Sequence, residues 1–140
     1  MTSRTPVGDD ELVAAALAAK ANAYAPYSRF YVGAAALAGG KVYPGANMEN
    51  ASYGVTLCAE RGAVARAVFD GARAIDAIAV VTDISPPAPP CGMCLQTLAE
   101  LAPDPTQLRV ILGNPRGEQR TYTLADLVPH GFGPGDLGRR

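Results

Sequence analysis

Residues 31–38 read Tyr-Val-Gly-Ala-Ala-Ala-Leu-Ala, and Gly39-Gly40 separates them from Lys41-Val42-Tyr43. Two glycines between two strand-like segments supply the positive φ angles of a tight hairpin. Alanine and glycine are poor strand formers, so packing rather than propensity must hold the first strand. The expectation is a helix lying close against that face of the hairpin.

Upstream, Asp9 is an N-cap candidate, Asp10 and Glu11 suit the positive end of a helix dipole, and Leu12, Val13, Ala16 and Leu17 share one face. That helix ends before Pro26, because the residue preceding a proline is pushed out of the helical region. Residues 1–8 show no periodic pattern and are expected to form a loose terminus. Downstream, residues 45–56 are polar, and Ala59, Ala63 and Ala67 then recur at helical spacing with Val64 and Val68 beside them. This predicts a second helix to Phe69, stopped by Asp70-Gly71. Apart from Asp76, residues 75–81 are apolar and rich in β-branched side chains, a strand buried on both faces. The order strand, helix, strand predicts a right-handed crossover. Four prolines in residues 85–90 exclude regular structure there. A third helix follows, with Cys94, Leu98 and Leu101 on one stripe, and ends near Pro103. Residues 108–112 read as a strand, 113–117 as a turn and 119–123 as an edge strand, after which Thr123 caps a last short helix. One domain over residues 1–140 accommodates these elements, at a length that buries about 68–70% of the unfolded chain's surface.

A net charge of −1 offers no basic field for a polyanion, which argues against a nucleic-acid partner and for a small or neutral substrate. No run approaches the ~18 apolar residues of a membrane span. The acids at positions 9–11 have the wrong sign for a signal peptide. Three cysteines, an odd number, suit a reducing compartment in which thiols serve metals or catalysis. A cytoplasmic protein without a membrane partner is expected.

The run Pro90-Cys91-Gly92-Met93-Cys94 presents two thiolates at metal-ligand spacing, and Cys58 adds a third. Both sets stand where a helix starts, and free N–H groups and the helix dipole favour thiolates there. Three sulfurs leave one position of a tetrahedral zinc ion open, the layout of a catalytic site. Three thiolates also blunt the metal's Lewis acidity, which Arg61, on the same helix face as Cys58, would offset by hydrogen-bonding a sulfur. Glu60 is placed to take a proton from a metal-activated water and return it to the substrate. On spacing alone, a structural zinc site or buried thiols without metal stay open. His130, the only histidine, is a conceivable fourth ligand, although its place between Pro129 and Gly131 suits an exposed residue better.

Cys58-Ala59-Glu60-Arg61 and Pro90-Cys91-Gly92-Met93-Cys94, with Asn47-Met48-Glu49-Asn50 upstream, resemble the small homotetrameric zinc-dependent cytidine deaminases. The resemblance runs from Pro26-Tyr27-Ser28-Arg29-Phe30 to Phe132-Gly133-Pro134. It implies an α/β fold, a three-layer α/β/α sandwich around a mixed sheet of about five strands. It also implies one zinc ion per subunit on Cys58, Cys91 and Cys94, with Glu60 as the proton shuttle. Water activated at the metal would attack C4 of cytidine or deoxycytidine while Glu60 protonates N3, ammonia would leave, and the role would be pyrimidine salvage. Asn47 and Glu49 match the family's pair for the ribose 3′-hydroxyl, and Ala59 falls among the substrate contacts. Phe30 matches an aromatic near the base, and Phe132 one lent by a neighbouring subunit, so that the active site is complete only in the homotetramer.

Two positions depart from the family's pattern. Leu95 stands where the family usually has Arg, which leaves more of the charge compensation to Arg61. Met93 is a residue also seen at its position in adenosine and guanine deaminases of the wider superfamily, which normally have His in place of Cys58. Two competing readings follow: a deaminase of another aminopyrimidine nucleoside, such as blasticidin S, and a non-catalytic zinc-stabilised binding module. The second predicts a closed coordination shell.

Overall fold

The structure, a computed structural model, describes residues 6–139. Five strands form one mixed sheet in the order β2-β1-β3-β4-β5, with β1 Gly33–Ala38, β2 Lys41–Ala46, β3 Ala77–Val81, β4 Arg109–Gly113 and β5 Gln119–Thr123. The hairpin forms as expected, with Gly39 and Gly40 at φ 58° and 78°. Its second strand continues through Pro44 to Ala46, further than the sequence suggested. Proline is tolerated because β2 is an edge strand.

Helices cover both faces, giving three layers. The helix α1, Asp9–Lys20, packs on the face bearing Ala35, Leu37, Ala79, Val81 and Ile111. The helices α2, Ala59–Phe69, and α3, Gly92–Glu100, cover the opposite face around Ala36, Ile78, Val80, Val110 and Leu112. The small residues of β1 are thus explained by two helices rather than one. A Cβ at Gly33 would fall 2.0 Å from the Ala16 carbonyl oxygen, and one at Gly45 would fall 2.5 Å from the Ala59 carbonyl oxygen. A fourth helix, α4 Leu124–Leu127, starts at a capping box of Thr123 and Asp126.

Two local expectations need correction. The N-cap of α1 is Gly8, without a side-chain cap bond; Asp9 lies inside the first turn and pairs with Arg109 at 3.2 Å. The buried stripe is Leu12, Ala16 and Ala19, whereas Leu17 faces solvent, because the i, i+4, i+7 positions meet the sheet. Of the expected loose terminus, residues 1–5 lie outside the described residues, and Val7 packs half-buried against the α1 face.

What positions the site is strand direction. The strands β2 and β3 are both antiparallel to β1 and hence parallel to each other, and β4 is parallel to β3. Their C-terminal ends therefore open on one edge of the sheet, the place where ligands bind in such sheets. The loops that follow β2 and β3 lead into α2 and α3, so both helices begin at that edge. The buried polar or charged residues among those described are Asn47, Glu60, Thr82 and Asn114. Asn47, Thr82 and Asn114 each directly follow a parallel strand, and Glu60 is in the first turn of α2. Among the described residues no helix is long and apolar enough to cross a membrane.

Candidate active site

Cys58 and Cys91 are the N-cap residues of α2 and α3, both extended and without a side-chain cap bond, so their sulfurs are free to converge. Cys94, one turn into α3, is fully buried. The three sulfurs lie within 4.8 Å of one another, with Cys58 to Cys91 at 3.9 Å and Cys91 to Cys94 at 3.6 Å. Bonds of ~2.3 Å at tetrahedral angles put sulfurs about 3.8 Å apart, so the spacing fits zinc. Among the described residues no histidine or carboxylate joins the group.

Charge is arranged to favour a thiolate at Cys58. The Cys58 thiol is drawn down to about 5, first by the hydrogen bond from Cys94 and then, against the effect of burial, by Arg61. Cys94 is pushed up, first because it donates to Cys58 and then because it is buried. Arg61 Nη2 lies 3.6 Å from Cys58 Sγ and 3.0 Å from the Thr56 carbonyl oxygen, while its Nε is buried without a hydrogen-bond partner. That guanidinium group sits beside sulfurs that become anionic on binding a metal. Leu95 turns partly into the core between sheet and helices and brings no charge to the cluster.

Cys58 and Cys91 open onto a cleft of about 250 Å³ that is also lined by Ala59, Glu60, Asn47 and Glu49. Glu60 is only 5% exposed, and burial raises the proton affinity of its carboxyl group. Asn47 is held by the backbone: its Oδ1 accepts from Val32 N at 2.9 Å and its Nδ2 donates to the Phe30 carbonyl at 2.8 Å. Glu49 accepts from Tyr27 N at 3.0 Å and Ser28 N at 3.1 Å, and from the Ser28 hydroxyl. Phe30 lines the cleft and is partly exposed. Phe132 does not line it; its carbonyl accepts from Gln96 Nε2 at 2.9 Å and its ring is exposed. His130 is exposed in the same tail segment.

A family model described as the cytidine and deoxycytidylate deaminase zinc-binding region matches residues 7–108. The chain belongs to this family. Zinc is accordingly its metal, and the cysteine cluster is able to hold it. The chain is 50% identical over 127 residues to the cytidine deaminase of Halalkalibacterium halodurans, covering 90% of this chain and 95% of that one. It is 43% identical over 122 residues to the cytidine deaminase of Mycobacterium tuberculosis, covering 86% of each. The crystal structure of cytidine deaminase from Burkholderia pseudomallei superposes with a TM-score of 0.85 at 46% identity, over 90% of this chain and all of that one.

The cleft also contains residues that sequence reasoning passed over: Val32, Thr56, Val80, Thr82, Ala88 and Pro89. Thr82 carried a signal, as the first residue past a strand leading to Cys91. Ala88 and Pro89 lie in the proline-rich run that delivers the chain to that cysteine. Arg66 and Arg73 are exposed and donate to carbonyls, Arg66 to Pro44 at 2.9 Å and Arg73 to Ala72 at 2.8 Å.

Proposed function

We propose that this chain, as one catalytic unit, hydrolytically deaminates cytidine and deoxycytidine to uridine and deoxyuridine with release of ammonia, in pyrimidine salvage. The observation that carries the reading is Glu60, buried in the cleft beside the three-cysteine cluster. Zinc held by Cys58, Cys91 and Cys94 would supply an activated water. Glu60 moves the protons: it takes one from the water, delivers it to N3 as oxygen bonds to C4, and passes the second to the amino nitrogen as the C4–N bond breaks. A carboxyl group whose proton affinity is raised by burial suits both steps. Arg61 offsets the charge of the sulfurs, and the first-turn N–H of Ala59, which has no partner within its helix, suits the base carbonyl.

Asn47 keeps one amide hydrogen and one lone pair beyond its backbone bonds, enough to meet a sugar hydroxyl together with Glu49. Phe30 packs near the base. No residue lining the cleft, among those described, is Lys or Arg, whereas Glu49 and Glu60 are both there. A 5′-phosphate would meet only negative charge, which favours the nucleoside over the nucleotide. Phe132, outside its own chain's cleft, is free to enter a neighbour's in a homotetramer.

The test is the change in ultraviolet absorbance on incubating cytidine, deoxycytidine, deoxycytidylate and blasticidin S with the zinc-loaded protein. Turnover of the first two is expected. Glu60→Gln is expected to keep its zinc and lose about 10²- to 10⁴-fold or more in kcat. Undiminished turnover in that variant would sink the proton-shuttle role.

A further inference from the structure

The segment of residues 27–32 brings Phe30 and Val32 into the cleft, yet it has no regular structure of its own. It is held by the two side chains assigned to the sugar. Asn47 grips its far end through Phe30 O and Val32 N, and Glu49 grips its near end through Tyr27 N and Ser28 N. Between these grips, Arg29 stands at φ 57°, a left-handed conformation that is unfavourable for a non-glycine residue and persists only where its surroundings enforce it. Two contacts enforce it: Arg29 N donates to the Ala25 carbonyl oxygen at 3.0 Å, and on the other side stands the Ser28 hydroxyl. Its oxygen accepts from Phe30 N at 3.0 Å, and its hydrogen goes to the second carboxylate oxygen of Glu49. Tyr27 and Ser28 N–H already occupy the first oxygen, so the hydroxyl governs the oxygen that remains.

We infer that Ser28 is a positioning residue for sugar recognition, one hydroxyl that sets both the Glu49 carboxylate and the backbone carrying the Phe30 ring. The inference rests on the reading that Glu49 takes the sugar hydroxyl. In the absence of Ser28 Oγ, Glu49 keeps its two backbone donors and pivots about them, and Phe30 N loses its acceptor. The nucleoside then meets a carboxylate whose orientation it must itself fix, and that cost falls on binding.

The experiment compares cytidine with 3′-deoxycytidine as substrates for the zinc-loaded wild type, Ser28→Ala and Ser28→Thr. Ser28→Ala is expected to raise KM for cytidine about 10- to 100-fold, the size of a lost hydrogen bond to a charged group, with kcat within about threefold. The penalty should be several-fold smaller on 3′-deoxycytidine, which lacks the hydroxyl, and Ser28→Thr should restore most of the loss. Because Ser28 is exposed, zinc content and thermal midpoint serve as controls. Should both fall, Ser28→Cys keeps the size while weakening the donor, and the same loss of discrimination is expected of it. If the wild type does not prefer cytidine to its 3′-deoxy analogue, the sugar-hydroxyl reading fails and takes the inference with it. If the wild type does prefer cytidine but the alanine variant loses equally on both substrates, or loses in kcat instead, the role of Ser28 alone is overturned.

Discussion

The cleft has two irregular walls, residues 27–32 and residues 82–90, and they are held in opposite ways. The first is tied from inside the cleft by Asn47 and Glu49, which themselves line it. The second is tied from outside. Asn114, buried past the end of β4, accepts from Arg116 N and Glu118 N and donates to Ile84 O at 3.1 Å and Glu118 Oε1 at 2.9 Å. All four of its hydrogen-bonding capacities are thereby filled. Ser85 bonds Glu118, Arg116 Nη2 reaches the Asp83 carbonyl at 3.0 Å, and Lys20 of α1 pairs with Asp83 at 2.9 Å. None of these anchors except Thr82, whose hydroxyl accepts from Ile84 N, lines the cleft. Loosening the first wall therefore disturbs groups assigned to the substrate, either directly or, as at Ser28, through Glu49. The second can be loosened from outside.

The difference is sharpest for two buried asparagines. Asn47→Ala is expected to lower kcat/KM about 100-fold, chiefly through KM, because wall and sugar contact go together, and to cost about 1–3 kcal/mol in urea unfolding. Asn114→Ala is expected to cost more stability, about 2–4 kcal/mol, since it leaves several buried groups unpaired, but no more than about tenfold in kcat/KM. A larger KM penalty for Asn114→Ala than for Asn47→Ala would break the comparison. Arg116→Ala removes only an exposed tether, and should change stability by less than about 1 kcal/mol and kcat/KM by less than about threefold.

The smallest effect is on pH dependence. Glu49 is held below the ordinary carboxylate range chiefly by the Ser28 hydroxyl, and Glu118 chiefly by the Ser85 hydroxyl. A carboxylate depressed on folding adds stability that is present above its unfolded pKa, ~4.3, and is lost as pH falls through the lower folded value. Thermal midpoints measured from pH 7 to pH 2 should therefore fall less steeply below ~4.3 in Ser28→Ala and Ser85→Ala than in the wild type. Parallel curves for all three proteins would show that the hydroxyls do not anchor these carboxylates.

The framework was readable where the cause is local. The bounds of α2, Ala59–Phe69, follow from an alanine stripe and Asp70-Gly71, and Thr123 caps α4 three residues from its partner Asp126. The cysteines at the starts of α2 and α3 and the nearby Glu60 could be read for the same reason. What escaped depends on partners far apart in the chain: Ser28 is 21 residues from Glu49, and Asn114 is 30 residues from Ile84. Such bonds follow from which strand ends share a sheet edge, and no spacing rule along the chain encodes them. The run of β2 through Pro44 was hidden similarly, because only the order of the sheet makes it an edge.

The glycine at position 45 has one more consequence. A Cβ there would lie 2.5 Å from the Ala59 carbonyl oxygen and 2.6 Å from the Ala63 amide nitrogen, both main-chain atoms of α2. The helix cannot yield locally, so an added methyl group would displace its first turn, and Cys58, Ala59 and Glu60 with it. The alignment of the residues proposed to hold the metal and carry the proton is thus gauged by the thickness of a hydrogen atom on a neighbouring strand. In a random mutagenesis screen, loss of activity at position 45 should rival that at the ligands themselves, from a residue that has no side chain to take part in the chemistry.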